Sequence, residues 1–249
     1  MAYSYNKRSN NNYWFILLGV VIGLSIGLFL YYQNPLVEVN TVFTDNVKPM
    51  QSQINLLAVD QDGNGITTPL IVDVMPGDGK ILTDIEKLLF WVDTQYSIQT
   101  ARDVAFNITG KNVNDYDVVY TISSDAAVVG GPSAGAALTV ATVAALENKT
   151  IRDNIVITGT VEEDGSIGQV GGVLEKAIAA KDIGAEVFLV PVGQGYETYY
   201  EPEENCTRRA GFVFCETNYN KVTVNIGEDA GIAVMEVENV SDALKYFGL

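Results

Sequence analysis

One uncharged apolar segment sets the organisation of this 249-residue chain. Residues 13–32 (YWFILLGVVIGLSIGLFLYY) contain no charged side chain, and aromatic side chains stand at both ends. A helix of about twenty residues spans about 30 Å, which matches the hydrocarbon core of a bilayer. Aromatic residues commonly lie at the two membrane interfaces. The sequence therefore predicts one transmembrane helix over residues 13–32.

The charges around this segment predict its orientation. A cleaved signal peptide is the alternative, but the apolar run is long for one and no small-x-small cleavage site follows it. Lys7 and Arg8 precede the run, whereas the first charges after it are acidic. The positive-inside rule then makes residues 1–12 a cytoplasmic tail. We expect residues 33–50 to be a linker, and residues 51–249 to be a domain outside the cytoplasm of a single-pass protein of the cell membrane.

The composition excludes several classes of chemistry. The chain has no histidine, 15 basic and 31 acidic side chains, and a net charge of −16. Without histidine there is no Ser-His-Asp triad, Cys-His dyad or His-ligated metal site. The acidic surplus repels phosphate, so we expect no nucleic-acid partner. Residues 60–65 resemble the start of a calcium-binding EF-hand loop, but Ile71 stands where that loop needs a bidentate Glu. We expect no metal and no cofactor.

Cys206 and Cys215 are the only two cysteines of the chain. Two cysteines close in sequence, in an oxidising exterior, predict a disulfide. They lie in a segment at about residues 195–230 that is rich in tyrosine and acidic residues, and we expect an ordered hairpin or flap there. A surface insertion without function and a substrate lid are both open interpretations of this segment.

Beyond residue 50 the pattern predicts an α/β domain of α+β character, with a mixed sheet and packed helices. Thr83 and Glu86 form a capping box, which predicts that a helix begins at Thr83. Ser241 is the predicted N-cap of a closing helix. Strands are predicted at 54–59, 68–74, 117–122, 155–161 and 187–190, and helices at 83–110 in two segments, 133–147, 172–182 and 241–246. The turn residues at 60–65 predict that the first two strands form a hairpin.

Ser133 is the first candidate for a reactive group. It stands in the sequence GGPSAG, residues 130–135, at the start of a predicted helix. A helix N-terminus offers unpaired N–H groups and a positive dipole end, which suit an oxyanion. From this hexapeptide alone, an ordinary N-cap serine is the more favoured interpretation.

A serine nucleophile needs a base, and in a chain without histidine a carboxylate or an uncharged lysine must serve. Lys176 lies in the first turns of a predicted helix among small apolar residues. Burial and the positive helix end both disfavour its ammonium form. The alternative is a solvent-exposed lysine paired with an acid, as expected for Lys181 one turn later.

Three motifs together resemble the proteolytic domain of Lon-type Ser-Lys proteases. They are PSAG around Ser133, Thr158-Gly159 at the end of a predicted strand, and GSIGQVGGVLEK at residues 165–176. The resemblance covers about residues 50–194 and 231–249. It implies a serine peptidase that acts on polypeptides, with ring-like self-association into a homo-oligomer.

The resemblance also implies roles for individual residues. Ser133 would be the nucleophile and Lys176 its general base, with Thr158 hydrogen-bonding near the lysine to orient it. The backbone N–H groups of Gly131, Ser133 and Ala134 would form the oxyanion hole. Gly130 departs from the family pattern, because many Lon domains have an acid there.

No segment of the chain matches a phosphate-binding loop, so we expect no ATP-driven unfolding within it. The sequence thus predicts a membrane-anchored, ATP-independent serine endopeptidase for unfolded or flexible polypeptides. A catalytically silent Lon-like domain that serves as an anchored binding or assembly module is the alternative. An amidase or esterase with the same Ser-Lys dyad is a third interpretation.

Overall fold

The N-terminal part of the chain is described separately from the rest. A computed structural model of the chain describes residues 17–25, 49–84, 89–90, 92–122, 128–129 and 131–249. The chain divides into two units, residues 1–46 and residues 47–249. In the first unit, residues 17–25 form a helix (α1) with exposed apolar side chains.

The predicted transmembrane helix over residues 13–32 extends beyond α1 onto residues outside the described set. Within the described ranges, no helix has both the length and the apolar character needed to cross a bilayer. The structure therefore gives the predicted span no support.

The described residues of the second unit form thirteen strands and five α-helices, in a mixed order along the chain. The strands are β1 (Met50–Val59), β2 (Gly65–Pro76), β3 (Ile81–Asp84), β4 (Leu89–Phe90), β5 (Tyr116–Ile122), β6 (Val128–Val129), β7 (Ile155–Ile157), β8 (Thr160–Val161), β9 (Ile167–Gly168), β10 (Val187–Pro191), β11 (Tyr196–Arg209), β12 (Phe212–Asn225) and β13 (Ala233–Val237). The helices are α2 (Val92–Thr109), α3 (Gly135–Glu147), α4 (Val173–Asp182), α5 (Ile226–Ala230) and α6 (Val240–Phe247). This mixture confirms the predicted α/β fold class.

The largest sheet has the strand order β1-β2-β5-β3. β1 and β2 form the predicted hairpin, and the Asp60 carboxylate stabilises its turn by accepting hydrogen bonds from the amides of Asp62 and Asn64. Helix α3 is almost entirely apolar and is buried over residues 135–146. It packs on this sheet and on α2, so these elements share the main hydrophobic core.

A second, parallel sheet has the strand order β13-β10-β7. Helix α4 packs beside it through small side chains, among them Ala177 and Ala180. These residues form a second hydrophobic cluster with Phe188 and Val190 of β10. Helix α3, which follows Ser133, packs in the main hydrophobic core, and helix α4, which contains Lys176, packs in the second cluster.

The structure corrects two local predictions. Thr83 does not begin a helix, because residues 81–84 pair in parallel with β5 as strand β3. Sheet pairing outweighs the local capping signal here, and the helix that follows begins at Val92. The N-cap of the closing helix α6 is Asn239 and not Ser241, since the Asn239 side chain accepts a hydrogen bond from the amide of Asp242 at 2.9 Å.

The segment with both cysteines forms one long hairpin of β11 and β12. The two strands pair over all fourteen residues of each, with Cys206 opposite Cys215. A disulfide joins these two cysteines. The hairpin is a separate two-stranded sheet, with its side chains exposed over nearly its whole length.

Gly65 offers a test of how closely β2 approaches α4. A Cβ atom at this position would overlap the backbone carbonyl of Glu175. Overpacking a close contact of this kind typically lowers stability by about 1–3 kcal/mol. We therefore expect Gly65→Ala to lower the free energy of unfolding by about that amount, as measured by urea denaturation. Gly171→Ala is the matched control, because a Cβ there meets no atom within 4 Å. Equal stability of the two variants would contradict the close approach.

Candidate active site

Ser133 lies in a 3-10 turn, Pro132–Ala134, that leads directly into α3. Gly131 precedes this turn with φ 98° and ψ 152°, a conformation that glycine adopts readily and other residues do not. Pro132 follows at the first helical position, where its missing N–H costs no hydrogen bond. The Gly-Pro pair therefore turns the chain sharply and leaves Ser133 half-buried at the N-terminal end of a buried helix.

The Thr158-Gly159 segment holds the Ser133 turn in place. The Ser133 carbonyl oxygen accepts hydrogen bonds from Thr158 Oγ1 at 3.3 Å and from the Gly159 amide at 3.0 Å. The Ala136 amide in turn donates to the Gly159 carbonyl at 3.0 Å. Gly159 has φ 151°, and a Cβ there would collide with the Ile167 side chain. The predicted strand over 155–161 is therefore broken at this point into β7 and β8.

The amides around Ser133 suit the predicted oxyanion hole in part. The Ser133 and Ala134 N–H groups lie in the first turn, where no earlier helical carbonyl accepts them. Gly131 and Ser133 both line a common cavity. Ala134 packs against the main hydrophobic core and does not line that cavity. The role of the Gly131, Ser133 and Ala134 amides as donors to a bound oxyanion stays a prediction.

Lys176 lies one turn into α4 and is only 3% exposed. Burial lowers its pKa to about 8, and the nearby charge of Glu175 partly opposes that shift. Lys181, one turn later on the same helix, is exposed. Lys176 is therefore the buried lysine that the sequence analysis weighed against a solvent-exposed one.

One cavity of about 600 Å³ brings Ser133 and Lys176 together. Among the hydrogen bonds of the described residues, none joins Ser133 Oγ to Lys176 Nζ directly. None joins Thr158 to Lys176 either, and the Thr158 hydroxyl donates to the Ser133 carbonyl. Thr158 thus contacts the serine side of the site, and its expected role in orienting the lysine stays a prediction.

The family comparison agrees with this geometry. Residues 57–208, more than half of the chain, match the Lon protease (S16) C-terminal proteolytic domain. The chain belongs to the Lon protease family.

Several curated Lon proteases are similar to this chain. The Lon protease of Clostridium acetobutylicum is 30% identical over 132 residues, which are 51% of this chain and 17% of that protein. The Lon protease of Phenylobacterium zucineum is 32% identical over 132 residues, 52% of this chain and 17% of that protein. The archaeal Lon protease of Thermococcus kodakarensis is 24% identical over 156 residues, 61% of this chain and 24% of that protein. The chain thus spans about a fifth of the length of the curated relatives it matches.

Two acidic residues of this Lon domain line the cavity and were missed by the sequence analysis. Glu175 precedes Lys176 on α4, and Glu197 comes from the base of the long hairpin. The hairpin base is fixed beside the site because Gln194 exchanges two hydrogen bonds with the backbone of Val170, at 2.9 and 2.6 Å. No local sequence signal could place Glu197 there, because it lies in an insertion whose position depends on this contact.

The pKa of Lys176 gives a test of its role as a base. Only the neutral amine can accept the proton of Ser133 Oγ, so the reaction of Ser133 must accelerate as Lys176 loses its proton. We expect the labelling rate of the full chain with a fluorophosphonate probe to rise with pH, with a midpoint at about 8. Lys181→Ala should keep this profile. A flat profile, or a midpoint near the ordinary lysine pKa of about 10.4, would contradict the assignment.

Proposed function

We propose that this Lon-family domain is a serine endopeptidase with a Ser133-Lys176 dyad. The observation that carries the proposal is that a buried lysine with a lowered pKa lines the same cavity as a serine at a helix N-terminus. The match to the Lon proteolytic domain supports the same reaction class.

The proposed reaction begins with neutral Lys176, which takes the proton of Ser133 Oγ as that oxygen attacks the carbonyl carbon of a peptide bond. The negative charge that develops on the carbonyl oxygen is stabilised by the Gly131, Ser133 and Ala134 amides. The ammonium of Lys176 then donates its proton to the leaving amine, and an acyl-enzyme remains on Ser133. Water hydrolyses this ester, with Lys176 accepting a proton from the water and returning one to Ser133.

We also propose that the substrates are unfolded or flexible polypeptides and that cleavage needs no ATP. A scissile bond can enter the cavity only where the substrate backbone is locally extended and free of its own fold. No segment of the chain matches a phosphate-binding loop, so energy-driven unfolding is not expected from its own residues. Ring-like self-association is part of the same proposal, by analogy with the family.

Membrane anchoring through residues 13–32 completes the proposal. The support is the uncharged apolar sequence with its flanking aromatic residues, and the basic residues that precede it. The N-terminus would be cytoplasmic and the catalytic domain outside, where the Cys206–Cys215 disulfide is stable.

Cleavage of an unfolded protein tests the dyad. The full chain should cut a denatured, reduced protein without ATP, and Ser133→Ala and Lys176→Met should each lower kcat/KM by about a thousandfold or more. Methionine keeps the volume and the apolar stem of the lysine, so the variant is expected to fold. Circular dichroism checks the folding of both variants. Intact substrate with all three proteins would favour the silent binding module instead.

Membrane extraction tests the anchor. We expect the full chain to stay in the membrane fraction after washing with alkaline carbonate, with its C-terminal domain open to protease added from outside. A double variant, Val21→Arg with Leu24→Arg, should release the chain, because each arginine at the centre of a span costs about 2.5–3.5 kcal/mol. Release of the unaltered chain by carbonate would refute the anchor.

A further inference from the structure

The long hairpin has two chemically different faces. Directly paired residues of antiparallel strands point to the same face, and successive residues point to opposite faces. A hydrogen bond between the hydroxyls of Thr198 and Thr223, at 3.1 Å, agrees with the pairing of the strands. One face carries four carboxylates and has a single basic residue, Arg209, at its far tip. We call these four carboxylates the acidic face: Glu197, Glu201, Glu203 and Glu216.

The opposite face has a small basic excess, and each of the two faces carries three aromatic side chains. It carries the disulfide, one carboxylate and two basic side chains. Its main side chains are Tyr196, Tyr200, Tyr219, Lys221, Arg208 and Glu204. The acidic residues of the hairpin are therefore concentrated on one side and not spread evenly.

The acidic face is continuous with the cavity. Glu197 stands at the base of the hairpin and lines the cavity that holds Ser133 and Lys176, together with Glu175. Glu197, Tyr199 and Glu201 alternate along β11 on this face, and burial and the nearby carboxylates of Glu201, Asp229 and Glu197 raise the pKa of Tyr199. A line of carboxylates thus extends from the cavity outward along the hairpin.

The carboxylates of the acidic face form no salt bridge in the described part of the chain. The salt bridges found there are Lys80–Asp78, Arg102–Asp103, Lys149–Glu147 and Lys245–Asp242, all on other elements. Within the cavity, Oε2 of Glu175 and Oε2 of Glu197 are buried and accept no hydrogen bond from any described residue. A buried carboxylate oxygen without a donor is energetically costly, so a donor supplied from outside the chain would be stabilised there.

We infer that the acidic face and the two cavity carboxylates bind an extended, Lys- and Arg-rich segment of the polypeptide substrate and lead it to Ser133. The inference rests on the proposed peptidase function and names its substrate class. Cationic side chains would supply the donors that Glu175 and Glu197 lack, and ion pairs to Glu201 and Glu203 would hold the segment outside the cavity.

The dimensions of the hairpin define how long such a segment must be. Glu203 lies six residues beyond Glu197 on β11, which is about 20 Å at about 3.3 Å per residue. A substrate in extended conformation needs about six residues beyond the cavity to reach Glu203. Short peptides should therefore bind the cavity carboxylates alone, and longer peptides should bind the whole acidic face.

The test compares peptides that differ only in flanking charge. Three fluorescent peptides of about twenty residues share one central cleavage segment, and their flanks carry lysine and arginine, glutamine, or glutamate. Binding to the full-length Ser133→Ala chain is measured by fluorescence anisotropy, which requires no cleavage. We expect the basic peptide to bind about tenfold more tightly than the glutamine peptide. We also expect the preference to vanish at 1 M salt, where the Debye length is about 3 Å.

Adjacent glutamates on opposite faces provide the matched pair of variants. Glu203→Gln should raise the Kd of the basic peptide about two- to fivefold, as expected for the loss of one exposed ion pair, and leave that of the glutamine peptide unchanged. Glu204→Gln removes the same charge one residue away, on the opposite face of the hairpin, and should change the Kd of neither peptide. Equal effects of the two variants would show attraction by net charge alone and would overturn the inference.

Binding and cleavage separate this inference from the proposed function. Equal affinity for the basic and glutamine peptides overturns the inference, whether or not the wild-type chain cuts them. A basic preference in binding supports the inference, and failure of the wild-type chain to cut any of the peptides would then refute only the peptidase proposal. A change in the mass of the full chain on Glu203→Gln, measured by light scattering, would show that the face contacts a second copy and would also overturn the inference.

Discussion

Ser133 and Lys176 lie beside different hydrophobic clusters, and hydrogen bonds join the Ser133 turn to the Thr158-Gly159 segment at the end of the second sheet. Ser133 begins α3, which is buried in the main core, whereas Lys176 lies on α4 beside the second sheet. The Ser133 carbonyl accepts from both Thr158 and Gly159, and this segment follows directly from β7 of the second sheet.

Burial of the Lys176 side chain costs stability, and the proposed role of Lys176 as a base gives this burial a function. A lysine side chain on a buried helix face of alanine and valine residues loses hydration, and this loss of hydration lowers its pKa toward neutral pH. The same burial that costs stability creates a base in a chain without histidine. The Glu175 carboxylate limits this lowering, so the pKa of Lys176 reflects the balance between burial and one neighbouring carboxylate.

The long hairpin adds charge and length to this core without adding to its packing. A two-stranded sheet with both faces in solvent is marginally stable in isolation. Here the pairing of all fourteen residues, the disulfide and the contact between Gln194 and Val170 hold it together and fix its base beside the cavity. A chain with a net charge of −16 could spread its acidic residues over the whole surface, but this hairpin concentrates four of them on the face that meets the cavity.

The sequence by itself determined the elements whose signals are local and strong. The turn residues at 60–65 specify the first hairpin, and the almost wholly apolar run at 135–146 specifies a buried helix, because period and turn chemistry depend on neighbours in sequence. The motifs around Ser133 and Lys176 could be recognised in the sequence for the same reason. Only the tertiary structure decided that Thr83 lies in a strand and that Glu197 lines the cavity. Those outcomes depend on which segments pair across long sequence separations, and no local pattern encodes that choice.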